Sequence, residues 1–131
     1  MPKTILIADG SCYAALDLAA AIEGNEGCVA GPVSMLSEAL AILDLTEIGG
    51  AVVDCELADA SALVMQLMDR GVPLVVQTSS PLPPALERLD GRLSVLMRPV
   101  DAQTVLDRLA GEIGKAAPPP VNRLGSALKQ V

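Results

Sequence analysis

Five times along this chain a short aliphatic run gives way to a longer segment whose apolar residues recur at helical spacing, and this alternation limits the fold most. "TILIAD" (4–9) reads as a fully buried strand, and "SCYAALDLAAAIEG" (11–24) as an alanine-rich helix stopped by Gly24. "GCVAG" (27–31) is a short second strand. In "SMLSEALAILDL" (34–45), Leu36, Ala39, Leu40 and Leu43 fall at i, i+3, i+4 and i+7, with Ser34 placed to cap the helix. "GAVVD" (50–54) predicts a third strand, and "SALVMQLMDRG" (61–71) a helix with Val64, Leu67 and Met68 on one face and Gly71 at its stop. "VPLVVQTS" (72–79) and "LSVLM" (93–97) are the last two strands. Between them "PLPPALERLDG" (81–91) has room for about two helical turns, because proline suits the first turn and not the interior. "DAQTVLDRLAGEIG" (101–114) predicts a closing helix, capped by Asp101, with Leu106, Leu109, Ala110 and Ile113 at helical spacing.

Strands that are apolar throughout are covered on both faces, so the pattern implies an α/β sandwich with a parallel sheet. With 131 residues the chain makes one domain, expected over 1–115, followed by a Pro-rich linker and short C-terminal tail over 116–131. The chain has one tyrosine and no phenylalanine or tryptophan, so its core is built from aliphatic side chains. No apolar stretch approaches the ~20 residues of a membrane span, and the opening "MPKTILIADG" meets an aspartate too early for a secretory signal. Cys12, Cys28 and Cys55, odd in number and widely spaced, suit a reduced cytoplasm better than a disulfide framework or a zinc site. Cys12 and Cys55 are read as packing cysteines rather than redox sensors, and Met65, Met68 and Met97 as core residues rather than a partner groove.

A formal net charge of −7, with no basic cluster before the tail, argues against direct DNA binding. The absence of histidine excludes a Ser-His-Asp triad, a Cys-His dyad and a His-ligated metal. Chemistry is left to carboxylates, hydroxyls, thiols, Lys/Arg and a hard metal ion.

In parallel α/β sheets the ligand crevice lies outside the carboxyl ends of the strands. The first strand ends in Asp9, the third in Asp54, the fourth in Thr78, and the fifth in Arg98 followed by Pro99. Singly, each is explained by the preference of such residues for turns and caps. Together they complement a phosphoryl group. Two carboxylates suit Mg²⁺, one of them can serve as a nucleophile, and a hydroxyl and a cation receive the phosphoryl oxygens.

The segments "ILIADG", "AGPVSMLSEALAIL", "AVVDCEL", "GVPLVVQTS" and "VLMRPVD" resemble the receiver domain of two-component response regulators over residues 3–114, most of all short single-domain receivers of alphaproteobacterial type. The resemblance implies a flavodoxin-like (βα)5 doubly wound sheet of strand order 2-1-3-4-5. It implies a phosphorelay function with Asp54 as phosphoacceptor, and Mg²⁺ held by Asp9, Asp54 and the backbone carbonyl of Glu56. Thr78 would follow the phosphoryl group and Arg98 contact it. A histidine kinase or histidine phosphotransfer protein would donate, a downstream protein target would listen, and the face of the fourth helix, fifth strand and fifth helix would carry a partner or a homodimer contact. No catalysis beyond self-phosphotransfer is implied. The family's bond before the proline is cis, which predicts a cis Arg98-Pro99 bond.

The chain departs from that pattern at three positions. Ala8 stands where the family usually has a second acid, which weakens Mg²⁺. Arg98 replaces a lysine, exchanging a point charge for a planar fork that can also pair with Asp54 or Asp9. Val95 replaces the switch aromatic. These departures raise an alternative, a degenerate receiver that binds its partner without phosphorylation. Ser79 and Ser80 read either as modulators of phosphate loss or as turn residues before Pro81. A third class, a flavodoxin-like nucleotide or flavin binder, is disfavoured because "ADGSCYA" lacks the glycine spacing that admits a diphosphate and no aromatic is placed to stack on a flavin.

Overall fold

The computed structural model describes residues 3–89 and 91–116, and the tail expected over 116–131 lies outside these beyond Ala116. The elements alternate as expected: β1 (Thr4–Ala8), α1 (Cys12–Gly24), β2 (Cys28–Val33), α2 (Leu36–Leu45), β3 (Gly50–Asp54), α3 (Ala60–Asp69), β4 (Leu74–Thr78), α4 (Pro84–Glu87), β5 (Ser94–Met97) and α5 (Ala102–Ala116). All strand pairs are parallel, in the order β2-β1-β3-β4-β5. The fold is thus the flavodoxin-like doubly wound sheet, with its three inner strands covered on both faces.

The twofold alternation of strand side chains sorts the core into two layers. Ile5, Ile7, Val52, Val75 and Leu96 pack with Ala15, Leu18 and Ile22 of α1 and with Val105 and Leu109 of α5. Leu6, Ala8, Ala51, Val53, Leu74 and Val76 pack on the other face with Ala39 of α2, with Leu63, Val64 and Leu67 of α3, and with Leu86 and Leu89. Each fully buried Leu, Ile or Val contributes ~1.5–3 kcal/mol through loss of hydrated apolar surface. The aliphatic composition is sufficient because both layers are filled by such residues.

Four local expectations are corrected. Met65 and Met97, expected in the core, are exposed, and of the three methionines only Met68 packs against it. β2 runs past Gly31 to Val33, because an edge strand tolerates proline. Its pairing advances from Leu6↔Ala30 to Ala8↔Val33, so β2 holds one extra residue in a bulge at the cis Gly31-Pro32 step, where Gly31 has φ +99°. In the segment expected over 81–91, of which residue 90 lies outside the described residues, helix is confined to the short turn Pro84–Glu87: Pro83 is extended (ψ 150°), as a residue preceding a proline is driven to be. Ser34 is not the N-cap of α2. That place falls to Met35, and the Ser34 amide instead donates to Glu38 Oε1 at 3.3 Å. Gly71 does stop α3, with φ +71° and its amide bonded to the Met68 carbonyl. Among the described residues, no helix is long and apolar enough to cross a membrane.

Candidate functional site

The four residues singled out at strand ends do converge on one edge of the sheet, but they divide between its faces. Asp54 closes β3 with the alternation of Val52, and Gln77 in β4 carries that of Val75. The two are register partners. Asp9 continues the alternation of Ile5 and Ile7, and Arg98 that of Leu96. These four therefore project toward the α1/α5 side, whereas Thr78 follows Val76 to the other side.

Arg98 knits the first group together. Its Nη2 donates to Asp9 Oδ2 at 2.9 Å, its Nη1 to Asp54 Oδ1 at 3.0 Å and its Nε to Gln77 Oε1 at 3.1 Å. A longer contact of 3.7 Å joins Nη1 to Glu56 Oε2. The side chains of Asp9, Asp54 and Arg98 are 4%, 8% and 18% exposed, so solvent screens this cluster far less than a surface ion pair. Backbone amides complete it: Ser11 N–H donates to Asp9 Oδ1 at 2.8 Å, and Glu56 N–H to Asp54 Oδ1 at 3.0 Å. The half-exposed Glu56 carboxylate accepts Ser79 N–H at 3.1 Å and ties the β3 loop to the β4 loop.

Burial is the largest influence on the Asp9 carboxyl and pushes its pKa above the ordinary value, an effect to which the nearby Asp54 adds. The Ser11 amide and the Arg98 guanidinium pull against it without cancelling it. Thr78 is fully buried, and its hydroxyl donates to the Ser80 carbonyl at 2.6 Å while accepting Ser80 N–H at 3.2 Å. The hydroxyl makes no hydrogen bond to Asp9, Asp54 or Arg98, although the Thr78 backbone carbonyl accepts Arg98 N–H at 2.8 Å. Cys55 is buried, and desolvation raises its thiol, countered in part by a hydrogen bond with Thr78, so it behaves as packing rather than as a reactive thiolate. The side chain of Cys12 lies outside the described ones. The Arg98-Pro99 bond is cis, as expected.

Gln77 is a site residue beyond those expected from the strand tips: Thr78 ends β4, yet it is the residue before it that shares the alternation of Asp54. Its signal was available: a polar amide inside the otherwise apolar run "LVVQT" that forms a central strand.

The Mg²⁺ that the resemblance implies would draw on Asp9, Asp54 and the Glu56 backbone carbonyl. In this arrangement Asp9 Oδ2 and Asp54 Oδ1 are each committed to a guanidinium N–H, and the space where the two carboxylates converge holds Arg98. Among the described residues, no group of three His, Cys, Asp or Glu is placed to hold a metal ion. With Arg98 between them, these residues do not fit a divalent ion.

The fold is that of response regulator receiver domains. The chain is similar to a CheY-like receiver domain protein from Methanospirillum hungatei JF-1 (17% identity, TM-score 0.76, covering 88% of this chain and 97% of that one). It is similarly close to a response regulator receiver protein from Sinorhizobium medicae WSM419 (18% identity, TM-score 0.76, 88% and 98% covered). The solution structure of SdrG from Sphingomonas melonis Fr1 also matches (21% identity, TM-score 0.66, 86% and 96% covered). No protein-family model matches the chain, and neither does any curated protein.

Proposed function

We propose that this chain is a receiver-type signalling module, with Asp54 the acceptor of a phosphoryl group from a phosphohistidine on a kinase or phosphotransfer partner. The observation that carries the reading is the position of Asp54. It ends the central strand β3 with one oxygen anchored by Glu56 N–H and Arg98, at the edge where this fold binds ligands. A carboxylate oxygen attacks phosphorus, the P–N bond breaks with its electron pair passing to the imidazole nitrogen, and that nitrogen takes a proton from solvent. An acyl phosphate remains on Asp54. Arg98 then shifts from the carboxylate to the phosphoryl oxygens, where a planar fork with several donors is well matched. Thr78 exchanges Ser80 for a phosphoryl oxygen and so draws in the β4 loop. Output runs through a downstream protein.

The test is intact-mass measurement after incubation with a small acyl phosphate, with and without Mg²⁺. The expected result is a gain of one phosphoryl group that Asp54→Asn abolishes. A second reading has its own observation: Arg98 already pairs with both Asp9 and Asp54, and the Thr78 hydroxyl is already hydrogen-bonded, so these groups have partners without a ligand. On that reading the chain is a degenerate receiver, binding its partner without phosphorylation. Absence of any mass gain, with partner binding unchanged in Asp54→Asn, selects it.

A further inference from the structure

We infer that Arg98 is the resident cation of the Asp9–Asp54 carboxylate pair and that it keeps divalent metal ions out of the site. Three edges of the guanidinium are engaged by three different side chains: Asp9 at 2.9 Å, Asp54 at 3.0 Å and Gln77 at 3.1 Å. The Gln77 contact is the informative one. A buried amide on a central strand holds Nε, so the fork is fixed in plane and both Nη groups are aimed at carboxylates before any ligand arrives.

A small divalent ion needs near-octahedral oxygen ligands at ~2.0–2.1 Å and gives up its waters reluctantly. To enter here it must take Asp9 Oδ2 and Asp54 Oδ1 from a guanidinium that the chain holds in place. It must also sit against that positive charge in a poorly screened crevice. Ala8, beside Asp9, supplies no second carboxylate to offset the added charge. Glu56, the remaining acid nearby, is half-exposed, with Oε1 accepting Ser79 N–H and Oε2 3.7 Å from Arg98 Nη1. Sequence and geometry agree: an acid is lacking where the metal needs one, and a bidentate cation stands where the metal would bind. The consequence for signalling is that access to Asp54 is governed by release of Arg98 rather than by the supply of Mg²⁺.

The inference stands on the ion-pair geometry, and its test contains no phosphodonor, so its outcome is separate from the mass measurement above. Mg²⁺ is titrated calorimetrically into the full chain and into Arg98→Ala, and Mn²⁺ binding is followed by the loss of its free-ion paramagnetic resonance signal. The wild type is expected to bind at least about tenfold more weakly than Arg98→Ala. Adding Asp54→Asn to Arg98→Ala should abolish the gained binding. Circular dichroism checks folding, and if Arg98→Ala does not fold, Arg98→Lys is read by the same rule, since a single ammonium cannot span both carboxylates and Gln77. Wild-type binding within about twofold of the variant overturns the inference. So does a variant that binds no better than wild type.

Discussion

Arg98→Ala is the perturbation that most directly probes the cluster. It removes the cation that bridges two carboxylates only 4% and 8% exposed, leaving them facing each other with Ser11 and Glu56 amides as their remaining donors. Breaking a buried ion pair by deleting one partner costs ~3–5 kcal/mol, because the surviving charge is stranded. The crevice opens at the sheet edge and Arg98 itself is 18% exposed, so water can partly hydrate the survivors and the expected loss falls to about 2–4 kcal/mol. For a domain of this size that corresponds to a fall of roughly 8–16 °C in Tm. Urea denaturation at pH 7, followed by circular dichroism, gives the free energy if the slope is unchanged between variants. Adding Asp9→Asn should recover stability, because the amide removes one stranded charge. The double variant should exceed Arg98→Ala alone by about 1 kcal/mol or more. A loss below ~1 kcal/mol, the size of an exposed ion pair, would refute the argument. So would strict additivity of the two substitutions.

Gln77→Met keeps the volume but removes the acceptor that fixes Nε. A hydrogen bond to a charged group is worth ~1.5–3 kcal/mol, so stability should fall by up to that amount and the Arg98 Nε–H resonance should lose protection from exchange in NMR spectra. Gly31→Ala should destabilise the β2 edge by at least ~1–3 kcal/mol in urea denaturation, since φ is +99° and the new Cβ would lie 2.8 Å from the Ile7 carbonyl oxygen. Asp101 caps α5 through the Thr104 hydroxyl and amide, which hold its carboxyl below the ordinary 3.8. A depressed acid stabilises the fold above its unfolded pKa. The stability difference between wild type and Asp101→Ala should therefore persist at neutral pH and vanish as pH falls below 3.8 through the lower folded value, with an NMR titration of the Asp101 carboxyl giving that value.

The element order was legible because the signals behind it are collective, whereas the strand order came only from the family resemblance. The three inner strands are apolar runs broken only by Gln77 before their polar ends, and every long helix carries apolar residues at helical spacing. What sequence reading lost were features decided by position within the sheet. "GCVAG" stops at a glycine followed by proline, yet at an edge, with one extra residue accommodated in a bulge, the strand continues to Val33. "PLPPALERLDG" contains enough residues for two turns, but its prolines confine helix to Pro84–Glu87.

The site shows the same division more sharply. Which charges gather at the edge could be read from the ends of the apolar runs. Which of them touch could not, because that depends on the twofold alternation carried across the register. Asp54 faces Gln77 across the β3–β4 pair, and Thr78, one residue on, turns away to Ser80. Arg98 is a further step removed, since it lies beyond β5 and reaches back along its stem to three acceptors. An arginine at this position therefore differs from a lysine in more than the shape of one charge. An ammonium presents its donors from a single point, whereas the guanidinium spans Asp9 and Asp54 and is itself steered by Gln77. The amide in the centre of the sheet makes sense only with the arginine, and the arginine is aimed only with the amide.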